Sequence, residues 1–123
     1  ISRIISETGC GLLLDIPHAR ISAQNLGVDE REYIECLPVF ALKELHFTGV
    51  QNLDGWLQDH LPAQKEDWEA LDWVLDHIRK GEWPKPWMIA FEYGGIGGKF
   101  SWRTSASVIE KQGSRIFDLV NSI

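Results

Sequence analysis

Three short apolar runs in this chain each end in a group able to bind a metal. Gly11-Leu12-Leu13-Leu14 leads into Asp15, with His18 three residues on. Ala41-Leu42-Lys43-Glu44-Leu45 leads into His46, and Trp87-Met88-Ile89-Ala90-Phe91 leads into Glu92. Each run has strand length and precedes a helical pattern. Runs this continuous suit strands buried in a parallel sheet, and the alternation of strand and helix predicts an α/β fold. In a βα architecture strand ends of one polarity gather on one rim. A carboxylate, an imidazole and a second carboxylate would then meet there as the start of a metal site.

The remaining punctuation follows the same reading. Ile1, Ile4 and Ile5 predict an opening helix stopped at Thr8-Gly9. A first strand is expected over 11–16, followed by a polar loop from Ser22 to Gly27. Asp29 is a good N-cap with Glu32 at the capping-box position, and the helix carrying Tyr33, Ile34 and Leu37 stops at Pro38. A second strand is expected over 41–48, then a long loop from Gly49 to Lys65. The spacing of Trp68, Leu71, Leu75 and Ile78, with Val74 beside them, predicts a helix over 66–80. Gly81, Pro84 and Pro86 end it. A third strand over 87–93, a glycine turn over 94–98 and a helix over 104–121 complete the chain. On that last helix Val108, Ile109, Ile116, Leu119, Val120 and Ile123 trace one apolar stripe, with Gln112 its polar member.

Side chains alternate across a strand. Leu13 and Asp15, then Leu42, Glu44 and His46, then Met88, Ala90 and Glu92 share the mixed faces. Leu12, Leu14 and Ile16, Leu45 and Phe47, and Ile89 and Phe91 form the apolar face expected under the helices. Emergence at the C-terminal strand ends reads as catalytic in a (β/α)8 barrel. Taken singly, Asp15 reads as an N-cap, His46 as a core histidine and Glu92 as an ion-pair partner. Together in phase at successive strand ends, they argue for a metal, because buried carboxylates are costly unless paired or metal-bound. Carboxylate plus imidazole suits iron, manganese or zinc. His18 is either a rim ligand or a turn histidine. Asp59-His60 reads on spacing alone as a solvated polar pair, and His77 as a surface residue. Gly95-Ile96-Gly97-Gly98-Lys99 lacks the Walker spacing, so close backbone packing or a flexible lid is the preferred reading.

Composition narrows the function. The 123 residues are 44% hydrophobic and 24% charged, with a formal net charge of −6. A nucleic-acid or anionic-membrane role calls for a basic patch, and the Lys and Arg residues are scattered among acids. Neither membrane association nor nucleic-acid binding is therefore expected. No apolar stretch approaches membrane-spanning length, and none has the pattern of a secretory leader. Cys10 and Cys36 do not suggest a disulfide framework, and both are expected as small packed side chains in a reducing, cytoplasmic setting. The chain opens at Ile1 directly in helix, which reads as a piece of a longer protein. The six tryptophans suggest that a partner covers some aromatic surface.

The segments LLLDIPHARISAQNLGVD, LKELHFTG and MIAFEYGGIGGKF resemble the multinuclear non-heme iron-dependent oxidative enzymes, which include the methanobactin-type peptide-modifying enzymes. The resemblance runs over nearly the whole chain. It rests on the strand-end Asp with Asn25, Gly27 and Asp29 following, and on His46-x-x-Gly49. It implies a xylose-isomerase-like TIM barrel, of which residues 1–123 would be a single C-terminal fragment: three consecutive βα units with parallel strands, the last three of eight. It further implies two or three iron ions, a peptide substrate modified with dioxygen, and a partner protein that presents the peptide. Asp15, His46 and Glu92 fall on family ligand positions, and His18 stands where the family shows Asn. Val50 replaces a family His, and Asp59-His60 replaces an Asp-x-His, with His60 the preferred ligand of the pair. Tyr93 and Arg103 are weaker candidates for substrate contact. Other early-strand ligands of the family have no counterpart here, so the fragment alone is expected to be inactive.

Two rival readings use the same residues. One is a divalent-metal sugar isomerase or phosphodiesterase on a similar barrel, holding another divalent metal in place of iron. The other is a non-catalytic module that forms a homo-oligomer, or associates with the missing barrel half, through its open sheet edges.

Overall fold

A computed structural model describes residues 1–123. Helix α1 (Ser2–Thr8) ends at Gly9, whose φ of 69° supplies the left-handed turn. Strand β1 (Leu12–Asp15) passes without a break into α2 (Ile16–Leu26). A short α3 (Glu30–Glu35) and a 3-10 turn over Val39–Ala41 lead to β2 (Leu42–Phe47). Then come β3 (Gly49–Leu53), β4 (Trp56–Leu61), α4 (Lys65–Arg79) and β5 (Met88–Phe91). A 3-10 turn over Ser101–Arg103 precedes α5 (Ala106–Val120). The protein is thus α/β, with a parallel sheet in the order β1-β2-β5 and a separate antiparallel pair β3-β4.

The sheet buries one face. Leu12, Leu14, Leu45 and Phe47 pack with Leu71, Val74, Leu75 and Trp68 of α4 and with Ile16, Ala19 and Ile34 in one apolar cluster. The opposite face stays open, with Leu13 at 45% and Met88 at 51% exposure. The α4 stripe lies inward as its periodicity predicts. Gln112, the polar member of the α5 stripe, donates to the Ala63 carbonyl and accepts its N–H, both at 2.9 Å, so it docks α5 on the entry to α4.

Several local expectations are corrected. The polar segment Ser22–Leu26 is helix, not loop. Asp15 caps the start, Pro17 sits in the first turn and Gly27 closes the end at φ 68°, so the helix is set by its ends. The expected long loop after Gly49 is a hairpin. Asp54 and Gly55 both take positive φ, 54° and 86°, as a two-residue type I′ turn requires. The Asp-Gly pair was the available signal. The third strand is shorter than expected and leaves Glu92 and Tyr93 just beyond it. Leu42 does not share the face of Glu44 and His46 but is fully buried. Leu12 pairs with Leu42 and Leu13 with Glu44, so Lys43 is an extra residue that shifts the phase. Cys10 and Cys36 are both exposed and unpaired, one between two glycines and one at the C-cap of α3. His77 is half-buried, stacked on Trp83 at 4.5 Å and paired with Glu82. No helix is long and apolar enough to cross a membrane.

Asp67 joins the pieces that flank the rim. Its carboxylate is buried and pairs with Arg20 of α2. It accepts the N–H of Val50 on β3 at 3.2 Å and of Gln64, the N-cap of α4, at 2.7 Å. Arg20 also donates to Glu30 at 2.8 Å. Burial opposes the charge on Arg20, but Glu30 and Asp67 outweigh it and raise its pKa above the ordinary value. Removing one member of a buried pair leaves an uncompensated charge. Asp67→Ala is therefore expected to cost about 3–5 kcal/mol of stability, read as a lower denaturation midpoint with an unchanged slope.

Candidate metal centre

The site begins with the capping chemistry of α2. Asp15 Oδ1 accepts the His18 N–H at 2.9 Å and so acts as the N-cap. Its other oxygen, Oδ2, is left for the rim, 3.8 Å from His46 Nδ1 and 3.8 Å from His18 Nδ1. The capping role and the rim role are both filled, one by each oxygen. Parallel register puts Asp15 beside His46, and the Glu92 N–H, donating to the Phe47 carbonyl at 3.0 Å, continues that register past the end of β5.

His46 Nδ1 lies 3.1 Å from Glu92 Oε2. Candidate donor atoms of Asp15, His46 and Glu92 all lie within 4.8 Å of one another. Transition-metal N and O ligands sit at about 2.0–2.2 Å, so two donors on one ion can be at most about 4.2–4.4 Å apart. The two separations from His46 fall within that limit, and the bound on the full set lies a few tenths of an ångström above it. The half-buried His46 ring is oriented from behind. Its Nε2 donates to Glu44 Oε1 at 2.7 Å, which holds a proton there and turns Nδ1 to the carboxylates, where it carries a second proton in the imidazolium or offers a lone pair to a cation.

A second group of donors adjoins the first. His18 Nε2 is 2.7 Å from Asp59 Oδ2, and His60 Nε2 is 3.7 Å from the same oxygen. His60 Nδ1 donates to the Glu92 carbonyl at 2.6 Å, so its Nε2 is the free lone pair. Asp59 and His60 reach the rim through a β-bulge. Gly49 pairs with Leu61 and Gln51 with Gln58, so these two residues oppose Val50 alone. His60 takes φ 59° at that point, an uncommon conformation for a residue with a side chain. Gly49 is required opposite: a Cβ there would lie 2.3 Å from the Pro62 carbonyl oxygen. All five singled-out residues, Asp15, His18, His46, His60 and Glu92, thus stand on one rim. Asp59 faces it as well, so the structure brings both Asp59 and His60 to the rim.

Sequence reasoning missed Glu44 as the carboxylate behind His46, although the i, i+2 spacing on one strand face was the available signal. Tyr93 serves the fold: its hydroxyl accepts the Ser105 N–H at 3.0 Å at the start of α5. Arg103 donates to the Asp59 carbonyl at 3.4 Å and to the Gln58 side chain, and so braces the bulge. Gly94 and Gly95 are packed against Thr104 and Phe100.

This sheet-end cluster of imidazoles and carboxylates is of a kind that could hold a metal ion, and comparison with known proteins places the chain in a family. The family model described as RiPP precursor modification enzyme MbnB/TglH/ChrH, enzymes acting on ribosomally made precursor peptides, matches residues 1–88. The chain belongs to that family. A UPF0276 protein of Acaryochloris marina is 36% identical over 80 residues, covering 63% of this chain and 29% of its own length. One of Chromobacterium violaceum is 30% identical over 94 residues, covering 75% and 33%. One of Bordetella pertussis is 43% identical over 49 residues, covering 40% and 17%. The chain therefore spans about a third or less of the relatives it matches. Glu92 lies beyond the matched segment, and its place in the centre rests on geometry.

Burial by itself disfavours the His46 imidazolium. The Glu44 hydrogen bond and the charges of Glu92, Asp15 and Glu44 outweigh it and raise the pKa above the ordinary 6.5. A raised folded-state pKa contributes stability that is fully present below the unfolded value and is lost as pH rises through the folded one. The metal-free chain is therefore expected to lose stability as pH climbs from about 6.5 through the His46 midpoint. Glu44→Gln should flatten that dependence and lower the midpoint seen by NMR titration of the ring. A midpoint unchanged by the substitution would contradict the arrangement.

Proposed function

We propose that residues 1–123 form the last three βα units of a (β/α)8 barrel enzyme, with Asp15, His46 and Glu92 holding iron at the C-terminal rim. His18, Asp59 and His60 are assigned to a neighbouring iron position in the same centre. The substrate is a ribosomally made peptide, brought by a presenting partner protein, and the reaction is an oxidative modification that uses dioxygen. The convergence of Asp15, His46 and Glu92 from adjacent strands, in a chain of this family, carries the reading. The donor set is nitrogen and oxygen without thiolate, which suits iron among the first-row metals. When bound, iron supplies redox capacity toward dioxygen and a substrate thiolate.

The chain's own residues have defined parts in this reading. Glu44 fixes the His46 tautomer and holds the ring in place. Asp15 ties the rim to the start of α2, so the ligand cannot swing away without uncapping the helix. The Glu92 carbonyl holds the His60 ring, which couples the end of β5 to the bulge of β4. The rest of the barrel is assigned the remaining ligands and the cover for the open face around Leu13 and Met88.

Anaerobic titration of the chain with iron(II) tests the assignment. His46→Ala and Glu92→Gln are expected to weaken binding by more than about tenfold, and Glu44→Gln by about 10–100-fold, the usual effect of a lost outer hydrogen bond. Iron(II) binding equal in the chain and in His46→Ala would overturn the assignment. For the intact parent, peptide-dependent oxygen consumption is the expected activity. Zinc-dependent turnover without it would favour a hydrolytic or isomerase reading.

A further inference from the structure

The segment that follows β5 differs in chemistry from the rest of the molecule. The chain has a net charge of −6, yet residues 93–109 include Lys99 and Arg103 and neither Asp nor Glu. The same stretch exposes Ile96 at 93%, Trp102 at 63% and Phe100 at 41%. Single exposed apolar side chains are ordinary, but three within seven residues on one loop form a patch of the kind that marks an interaction surface.

The patch borders the metal centre. A cavity of about 300 Å³ is lined by His60, Gly94, Gly95, Ile96, Phe100 and Arg103. His60 is common to this cavity and the rim, and its ring is held by the Glu92 carbonyl. A cavity of this size is at the small end of binding pockets and suits one or two side chains. Its cation is pre-set. The Arg103 guanidinium lies 5.1 Å from the Phe100 ring centre and 5.3 Å from that of Trp102, and one nitrogen donates to the Asp59 carbonyl. Its Nε–H is buried without an acceptor and its other terminal nitrogen donates to the Gln58 side chain, so Arg103 acts on the cavity through its charge.

The loop is built as a wall. Gly94 takes φ 97°, and a Cβ on it would meet Thr104 Oγ1 at 2.7 Å. A Cβ on Gly95 would meet the Phe100 carbonyl oxygen at 2.7 Å. Thr104 Oγ1 accepts the Gly95 N–H and donates to the Gly95 carbonyl, both at 2.9 Å, closing the loop on itself.

We propose that residues 94–104 form the substrate-facing wall beside the centre and select a peptide segment in which an acidic residue neighbours an apolar one. The inference rests on the peptide-modifying reading above and adds the character of the segment next to the reacting residue. Charge complementarity argues for that occupant. The rim carboxylates of Asp15, Glu44, Asp59 and Glu92 repel an acidic segment, while Lys99 and Arg103 attract it to this one side and so set its direction. Ile96, Phe100 and Trp102 supply the apolar contact.

The test uses the 123-residue chain and two fluorescein-labelled peptides. One alternates Asp and Leu around a single Cys, and the other carries Lys at each Asp position. Fluorescence anisotropy is expected to show the acidic peptide binding at least about tenfold more tightly at low salt. Arg103→Gln should abolish the preference, and Lys99→Glu, at an exposed position of the loop, should reduce it several-fold. Equal binding of the two peptides, or a preference unchanged in Lys99→Glu, would overturn the proposal. So would self-association of the chain through this patch, seen by sedimentation and lost in Trp102→Ala. Iron(II) titration of the same samples separates the two readings. Iron binding without peptide preference overturns this inference alone, and peptide preference without iron binding supports it while overturning the metal assignment.

Discussion

The rim depends on a buried charge behind the bulge that carries part of it. Asp67 collects the Arg20 guanidinium of α2, the Val50 N–H of β3 and the Gln64 N–H at the start of α4. Those elements carry the side groups of the centre: α2 bears His18, and the hairpin begun by β3 bears Asp59 and His60. A buried carboxylate tolerates few arrangements, because each unmet lone pair leaves desolvation uncompensated. Satisfying Asp67 therefore fixes the hairpin against the helices, and the position of the second donor group follows from it.

The first donor group depends on the sheet. Parallel pairing places Asp15 beside His46, and the end of β5 brings Glu92 alongside. Assembling Asp15, Glu44, Asp59 and Glu92 around His18, His46 and His60 concentrates negative charge in a partly buried place. In the metal-free chain that charge is offset through the raised proton affinity of His46. A bound cation would replace the proton, so metal binding and His46 deprotonation are linked. The bulge of β4 and the positive φ of His60 are local departures from regular structure held in place by the Gly49–Pro62 approach and the Arg103 brace.

The parallel sheet is packed on one face and open on the other. Leu13 and Met88 stand exposed on the face that bears the donors, while the opposite face is packed under helices. In the barrel proposed above, further sheet would cover that face.

The three parallel strands, their α/β order and the meeting of Asp15, His46 and Glu92 at the strand ends were legible in the sequence, because apolar runs, strand alternation and polar strand ends are local patterns. Asp15, His46 and Glu92 could be read as neighbours from strand polarity alone. The hairpin was legible in principle from Asp54-Gly55. The continuous α2 was harder to read, since Ser22 and Asn25 are poor helix signals and the caps at Asp15 and Gly27 decide it. What tertiary structure decided was long-range pairing: Asp67 with Arg20, Arg103 with the bulge, and the meeting of His18, Asp59 and His60. Sequence specified which chemistry each strand end carries, because side-chain type and alternation are local properties. Only the folded chain decided which groups share a site, because that depends on a one-residue bulge and a buried charge whose partners are tens of residues apart.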